Sequence, residues 1–193
     1  MIIAGAGAAG HEALQILIEQ GLSDIVFYDQ NSKQSIVANK YIVINDIDTL
    51  INRINIKPDF CVAIGHPRIR EKMYNILYSL KAKPINVISQ NTHLLYSLKQ
   101  NGIIIQPGVC ISADGEIGKS TLIHANSVIG HQVHIGDFVN ISPLCSIIGP
   151  CKIGNYSYIG AGSIVMPNVE IGNNVYISPG SVVNKNINDF ETY

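Results

Sequence analysis

Several kinds of residue are scarce in this sequence, and their scarcity excludes whole classes of protein. The 193 residues include no tryptophan, and charged residues make up only 14% of the chain. Thirteen basic side chains stand against fourteen acidic ones, which gives a formal net charge of -1 with no basic run. Because nucleic acids and anionic membrane surfaces attract basic patches, we expect neither as a partner.

The cysteines and the apolar segments exclude further classes. The four cysteines form no CxxC pair and have no histidine at metal-ligand spacing, so the sequence predicts neither a zinc site nor a disulfide framework. Residues 1–10 are apolar, but they lack a basic leader and an apolar run of about 18 residues, the length that spans a bilayer. We therefore expect a cytoplasmic protein with reduced thiols and no bound metal.

The second half of the chain repeats every six residues. Every sixth position from Ile105 to Val183 is isoleucine or valine, and the position four residues after each is small or slim, as at Ser127, Cys145 and Ser163. This period fits neither a helix nor a plain alternating strand and is typical of a hexapeptide β-helix. Three hexads close one triangular coil, which rises by one strand spacing of about 4.8 Å. We expect the glycines between the strands at positive φ or at tight corners.

The first ninety residues alternate between strand-like and helix-like segments. The predicted strands cover residues 1–4, 24–28, 41–44, 59–64 and 84–88, and the predicted helices cover 8–20 and 68–80. This alternation predicts a Rossmann-like βαβ unit of α/β class. The expected organisation is therefore a nucleotide-sugar-binding domain at residues 1–88, a linker at 89–104 and a parallel β-helix at 105–193.

The first predicted strand runs into a GxGxxG turn formed by Gly5, Gly7 and Gly10, with Ala9 inside it. Such glycines permit a tight turn and let a phosphate approach the N-terminus of the following helix. Asp29 stands where a ribose-binding acid would stand in a dinucleotide-binding fold. Because the unit is about half a full dinucleotide domain, a mononucleotide is favoured over NAD. The alternative is a turn that serves only strand-to-helix packing.

Nearly the whole chain resembles the sugar acyltransferases that include sialic-acid O-acetyltransferases and N-acetyltransferases of UDP-4-amino sugars. The segments that carry the resemblance are MIIAGAGAAGHEAL, VFYDQ, CVAIGHPRIREKMY, and NGIIIQPGVCIS through VIGHQVHIGDFVNISP. Its specific feature is a small nucleotide-binding unit joined to hexads that contain GHxxxIGDF. The resemblance implies a left-handed β-helix, a homotrimer, and acetyl transfer from acetyl-CoA to a nucleotide-activated amino sugar.

The resemblance also implies roles for individual residues. The catalytic histidine falls on His131, the general base that takes a proton from the sugar amine. Gly149 lies one coil later, where its N–H is expected to donate to the oxyanion. Gln132 stands where relatives carry an acid, so it can orient the imidazole but cannot stabilise its charge. Coenzyme contacts are expected at Asn140, Gly149, Ala161, Pro167 and Pro179.

Further substrate contacts are expected at Gln30, Gly65 and His66, beside the glycine turn and Asp29. Gln30 replaces an acid that is common in relatives, so the base of a UDP, dTDP or GDP sugar stays open. His66 follows a predicted strand, where doubly wound sheets place ligands.

The leading hypothesis is an acetyl-CoA-dependent N-acetyltransferase of a nucleotide-linked 4-amino-4,6-dideoxy sugar in surface glycan biosynthesis. A sugar O-acetyltransferase of the sialic acid type is one alternative. A catalytically weakened binding or scaffold homologue is the other, because Gln132 and Asn140 replace ionisable residues of relatives. Two side chains have open interpretations: His124 is a surface group or lines the sugar pocket, and Arg70 is solvated, salt-bridged or paired with a phosphate.

Overall fold

The computed structural model describes residues 1–95 and 97–193, and its N-terminal part is a six-stranded sheet flanked by helices. The strand order is β3-β4-β2-β1-β5-β6, and only the β3–β4 pair is antiparallel. Strands β2 and β5 lie on opposite sides of β1, so the carboxyl ends of β1 and β5 border the crevice where such sheets bind ligands. The elements are β1 (Ile2–Ala4), α1 (Ala8–Glu19), β2 (Val26–Tyr28), β3 (Ile36–Val37), β4 (Tyr41–Ile44), α2 (Ile47–Ile56), β5 (Asp59–Val62), α3 (Pro67–Ser79) and β6 (Lys83–Pro84).

Neither β3 nor α2 is among the elements predicted from the sequence. Helix α2 begins after Asp46, whose side chain accepts the N–H of Thr49 at 2.8 Å. An aspartate is a favourable N-cap, and the helix buries Leu50 and Ile54 against the sheet. The cap and the buried pair are the local signals that identify this helix.

The rest of the chain coils into three parallel sheets. Paired strands are 18 residues apart in the middle of the coil, as in the pairing of Val133 with Cys151. The parallel triangular coil predicted from the hexads is therefore present. Its strands are β7 (Val87–Ile88), β8 (His93–Leu94), β9 (Ile104–Ile105), β10 (Cys110–Ile111), β11 (Glu116–Ile117), β12 (Leu122–Ile123), β13 (Val128–Ile129), β14 (Val133–Ile135), β15 (Asn140–Ile141), β16 (Ser146–Ile147), β17 (Cys151–Ile153), β18 (Tyr158–Ile159), β19 (Ile164–Val165), β20 (Glu170–Ile171), β21 (Tyr176–Ile177) and β22 (Val182–Val183).

The interior of the coil is apolar except for a set of hydroxyl groups that are hydrogen-bonded. The isoleucines and valines of the six-residue repeat form one buried cluster. Ser127 and Ser157 are fully buried at the small position, and their hydroxyls donate to the carbonyls of Ser142 and Gly172 at 3.0 and 2.8 Å. Because each hydroxyl has an acceptor, these serines fill the corners without an unsatisfied polar group.

Six glycines between the strands allow close packing between coils, namely Gly118, Gly130, Gly136, Gly154, Gly160 and Gly172. A side chain at Gly130 would lie 2.7 Å from the backbone nitrogen of Gly149 in the next coil. Gly130 does not have positive φ, whereas Gln132, two residues later, has φ of 54°. Of the two reasons expected for these glycines, the tight corner is therefore the one that applies at Gly130.

The coil begins earlier than the hexad count suggests. Strand β7 pairs with β9, and β8 pairs with β10, in both cases 17 residues apart. The first coil is thus one residue short of the regular spacing and includes part of the segment predicted as a linker. Counting by sixes does not detect it, because the missing residue breaks the period.

The three sheets differ in the side chains that point outwards. The covered face carries Ile104, Leu122, Asn140, Tyr158 and Tyr176, and its first members pack against the N-terminal sheet and helices. The charged face carries Glu116, His134, Lys152 and Glu170. The apolar face carries Cys110, Val128, Ser146, Ile164 and Val182.

Candidate active site

The turn between β1 and α1, together with the start of α1 (residues 5–10), forms an open concave surface, here called the cradle. Gly5 has φ of 103°, and a side chain there would lie 2.7 Å from the carbonyl oxygen of Ala63. A side chain at Gly10 would overlap the Gly5 carbonyl, so backbone packing requires both glycines. Gly7 differs, because nothing lies within 4 Å of where its Cβ would be. This open space adjoins the first turn of α1, which has no side-chain cap and can bind an anion through its N–H groups.

Asp29 closes one side of the cradle. Its Oδ2 accepts the N–H of Ala6 and its Oδ1 accepts the N–H of Asn31, both at 3.0 Å. These bonds tie the end of β2 to the glycine turn, and each carboxylate oxygen keeps a lone pair for a ribose hydroxyl. Gln30 is exposed and lies outside the pocket lining, whereas Asn31, which was not among the predicted residues, belongs to it.

The cradle opens into a pocket of about 580 Å³ between the N-terminal unit and the covered face. Its N-terminal wall includes five of the predicted substrate residues, namely Gly5, Gly7, Ala9, Asp29 and Gly65. Its coil wall consists of His124, Asn140 and Tyr158. Gly10 lies buried beneath the turn. The structure thus brings most of the predicted nucleotide residues to a wall contributed by the β-helix.

A second cavity of about 570 Å³ adjoins this pocket and shares Gly65 and Tyr158 with it. The predicted contact His66 lines this second cavity rather than the first. Tyr158 and Tyr176 stack along its wall with ring centroids 5.3 Å apart. An aromatic wall of this kind suits the flat face of a base or a sugar.

A hydrogen-bonded network forms the coil wall of the pocket. Nε2 of His124 lies 3.4 Å from Oδ1 of Asn140, and Nδ1 of His124 lies 3.9 Å from Oε2 of Glu12. Gln106 donates to Glu12 at 2.5 Å and accepts the N–H of Ala125 at 2.9 Å. Burial lowers the pKa of His124, and Glu12 acts in the opposite direction. A neutral imidazole therefore lies beside a carboxylate near pH 7.

Arg70 fixes the two walls relative to each other. Its guanidinium is buried and donates to the carbonyls of Ile64 and Gly65 in the N-terminal unit at 2.5 and 2.9 Å. The remaining donors reach carbonyls of the coil at 2.7 to 2.8 Å, which belong to Ser120, Phe138 and Val139. Burial lowers the pKa of Arg70 to about 9, so the side chain stays charged at neutral pH. Arg70 is therefore an internal link between the two units, which none of the interpretations from the sequence anticipates.

His131 lies on an edge of the prism, between the apolar face and the charged face. The side chain is exposed, and Gly149 and Pro167 follow it along this His131 edge at successive coils. A side chain at Gly149 would overlap the carbonyl of His131, so close packing requires this glycine. Within residues 1–95 and 97–193, no hydrogen bond uses the N–H of Gly149 and none joins the Gln132 side chain to His131. A cavity of about 490 Å³ opens beside the edge and is lined in part by Gln132 and Asn168.

The remaining predicted coenzyme residues lie elsewhere on the prism. Ala161 and Pro179 are exposed on the edge between the covered face and the apolar face, here called the Ala161 edge. Asn140 follows His131 by half a coil and therefore lies on the covered face. There it is buried beside Gly65. The pocket and the His131 edge are consequently on opposite sides of one chain.

Comparison with known proteins agrees with both units of the fold. Residues 1–77 match the PglD N-terminal domain, and residues 150–185 match the bacterial transferase hexapeptide with six repeats. GDP-perosamine N-acetyltransferase from Escherichia coli O157:H7 is 29% identical over 181 residues, which cover 86% of this chain and 78% of that protein.

Solved structures share the whole fold. PerB from Caulobacter crescentus, in complex with CoA and GDP-perosamine, has a TM-score of 0.87 and 24% identity, and the match covers 97% of this chain and 90% of that one. The acetyltransferase domain of PglB from Neisseria gonorrhoeae has a TM-score of 0.89 and 23% identity, over 99% and 94% of the two chains.

The two units together define a hexapeptide-repeat acyltransferase with an N-terminal α/β domain. The chain is similar to sugar acyltransferases over most of its length, as its sequence motifs indicated. In the described part of the chain, no cluster of three or more His, Cys, Asp or Glu side chains could hold a metal ion, and no helix has the length and apolar character to cross a membrane.

Proposed function

We propose that this protein transfers an acetyl group from acetyl-CoA to the amino group of a nucleotide-linked 4-amino-4,6-dideoxy sugar. The observation that carries the proposal is the pocket in which the glycine cradle faces a polar wall of the β-helix. A nucleotide held by the cradle directs its sugar towards that wall. The similarity to a GDP-perosamine N-acetyltransferase over most of the chain supports an amine as the acceptor.

The cradle suits the diphosphate and ribose of the substrate. The open space at Gly7 leaves room for a phosphate at the N-terminus of α1, where backbone N–H groups bind anions. Asp29 is positioned to accept from a ribose hydroxyl. Gly65 and the adjoining tyrosine-lined cavity leave room for the base or the sugar. GDP is the first nucleotide to test, because the curated relative uses a GDP-linked sugar.

The acyl transfer itself is assigned to the His131 edge. His131 accepts a proton from the amine as the nitrogen attacks the thioester carbonyl, a role that contributes about 10² to 10⁴ in rate. The free N–H of Gly149 donates to the oxygen that becomes negatively charged. The proton then passes to the departing sulfur, so the products are the N-acetyl sugar and the free thiol of coenzyme A. No covalent intermediate on the protein is required.

A neighbouring copy of the chain completes this site, and three copies close the ring. The apolar face exposes Val128 at 47% and Val182 at 51%. Because this face lies between the His131 edge and the Ala161 edge, three copies that pack through it bring these two edges of neighbours together. A homotrimer thus joins the His131 edge of one copy to the pocket side of the next, with Gly149, Pro167, Ala161 and Pro179 lining one cleft for the coenzyme.

The remaining features of the proposal follow from the family resemblance. The coils are taken to wind left-handed, and the protein is assigned to the cytoplasm and to surface glycan biosynthesis. The division into an N-terminal unit and a β-helix is retained, but the coil begins at Val87, so the segment 89–104 predicted as a linker contributes to the first coil.

Thiol release from acetyl-CoA tests the proposed function directly. The full-length protein is mixed with acetyl-CoA and with UDP-, dTDP- and GDP-linked 4-amino sugars, and a sialic acid serves as the hydroxyl acceptor. We expect turnover with at least one nucleotide-linked amine and an N-acetyl product by mass spectrometry. Faster turnover with sialic acid would instead favour the O-acetyltransferase, and no thiol release with any acceptor would favour the scaffold alternative.

A further inference from the structure

We propose that Glu12 and His124 form a second proton acceptor in this site, which removes the first proton from the amino group of the sugar. The inference rests on the proposed function, because it concerns the acceptor amine of that reaction. Its starting observation is that an imidazole and a carboxylate 3.9 Å apart line the nucleotide pocket.

The chemistry of an amine acceptor requires two proton transfers. Primary amines titrate at about 8 to 10, so the acceptor is mostly an ammonium ion near neutrality. One proton leaves before the nitrogen has a lone pair for attack, and a second leaves as the amide forms. His131 carries the second proton to the sulfur of the departing thiol. The first proton has no destination in that scheme and must reach water by another route.

The pocket offers few groups that can take this proton. Its titratable side chains are Glu12, Asp29, His124 and Tyr158. Asp29 is tied to the glycine turn and is assigned to a ribose hydroxyl, and a neutral tyrosine is a weak base. His124 has a side chain only 15% exposed, whereas the side chain of Glu12 is 49% exposed. The pair therefore reaches from the closed end of the pocket towards solvent.

Asn140 fixes which nitrogen of His124 is available. The Nδ2 of Asn140 donates to the hydroxyl of Ser142 at 3.3 Å, so its Oδ1 accepts from the Nε2–H of His124 at 3.4 Å. Nδ1 is then the unprotonated nitrogen of the neutral ring. It is also the nitrogen closest to Glu12, whose carboxylate stabilises the imidazolium once Nδ1 has taken a proton.

Two charged groups act on His124, one from α1 and one from α3. Glu12 on α1 favours protonation of the imidazole, whereas Arg70 on α3 and burial against the coil oppose it. His124 therefore holds a proton only briefly and passes it through the half-exposed carboxylate to water. The overall step is balanced: the ammonium loses one proton to Nδ1 and then to solvent, and one to His131 and then to the thiolate.

The test compares variants across pH, with the nucleotide-linked amine that the unaltered protein uses fastest. At pH 6.5 we expect His124→Asn and Glu12→Gln each to lower kcat/KM about 10- to 100-fold, because the acceptor is an ammonium ion. Above the pKa of the acceptor amine, where the amine is already neutral, the deficit should fall below about threefold. Calorimetric binding of the matching nucleoside diphosphate should change less than about twofold, since the cradle is intact.

Matched control variants are available on α1, the helix that carries Glu12. His11→Asn and Glu19→Gln make the same chemical changes at exposed positions of α1 outside the pocket lining, and both should behave like the unaltered protein at every pH. If His124→Asn does not fold, Glu12→Gln alone tests the inference. Glu12 is half-exposed, so its substitution should disturb the fold less.

The possible outcomes separate this inference from the proposed function. Turnover by the unaltered protein with undiminished rates in both variants would overturn the inference alone. A deficit of the same size at all pH values would also overturn it, since that pattern indicates a role in positioning. No turnover by the unaltered protein with any amine would overturn the proposed function, and the inference with it.

Discussion

At the scale of single residues, His131 combines exposure with a position beside the free N–H of Gly149. We expect His131→Ala to lower kcat by about 10² to 10⁴, because the second proton then lacks an acceptor. KM for the nucleotide sugar should change less, since the cradle is a separate part of the site. Steady-state thiol release measures both constants, and an unchanged kcat would rule out the assigned role.

A substitution at Gln132 is expected to raise the rate of the reaction rather than lower it. A carboxylate beside an imidazole stabilises its protonated form, which an amide cannot do. We therefore expect Gln132→Glu to raise kcat by about three- to tenfold at neutral pH. The same change in a His131→Ala background should have no effect. A gain that persists without His131 would show that the new carboxylate acts by itself.

Arg70 is a residue whose loss should affect folding and the pocket together. Its removal leaves buried carbonyls of both units without donors, so Arg70→Met should lower the free energy of unfolding by about 3 kcal/mol or more. Lys72→Met, on the exposed side of the same helix, should change it by less than about 0.5 kcal/mol. Urea denaturation of both variants measures the difference. Equal stability of the two would contradict the structural role of Arg70.

At the scale of elements, the apolar face is the part of the coil with no described cover. A charge on this face would be buried in a trimer, so Val128→Asp and Val182→Asp should shift the protein towards monomers and abolish thiol release. Ile42→Asp is the control, because Ile42 is an exposed apolar residue of β4, outside the apolar face. Light scattering after size exclusion gives the mass of each variant. Trimers of all three variants would exclude the apolar face as the interface.

The sequence predicts the coil well because its signal is local and repeated. Each inward isoleucine recurs after six residues, and every deviation from that period is confined to the first and last coils. The GxGxxG turn and most of its neighbours are predicted for the same reason, since strand, turn and helix follow one another along the chain. Helix α2 was not predicted, although Asp46 at its N-cap is a signal for the start of a helix.

The coil wall of the pocket is harder to predict, because its residues meet partners far away in sequence. His124 and Glu12 are more than a hundred residues apart, and no periodicity relates a helix of the first unit to a corner of the second. One signal was available: outward positions of the covered face are apolar at Ile104 and Leu122 and then polar at Asn140. A polar residue that follows apolar ones on a covered surface marks the rim of a cavity.

At the scale of the whole molecule, the pocket and the His131 edge belong to opposite sides of one chain, so the proposed site requires two copies. This arrangement predicts complementation between inactive variants. Gly7→Leu fills the open space of the cradle and should abolish turnover, and His131→Ala should nearly abolish it for a different reason. Trimers reassembled from an equal mixture should recover about a quarter of the unaltered activity, because each mixed trimer has one intact site.

The control for this experiment is a chain that carries both changes. Mixing that double variant with either single variant should restore nothing, because no pocket and base are then intact in neighbouring copies. Should the two single variants also fail to complement each other after verified subunit exchange, both groups would have to act within one chain.

The irregular ends of the coil bear on how proteins of this design can change in length. The first coil is one residue short, and Ile171 and Tyr176 pair with residues only 16 positions later. A terminal coil has a neighbour on one side only, so a deletion there disturbs a single set of strand pairings. The same deletion between His131 and Gly149 would turn every later isoleucine away from the interior and separate His131 from the amide proposed to act with it. Insertions and deletions that preserve activity will therefore accumulate in the outermost coils, or will add and remove coils whole.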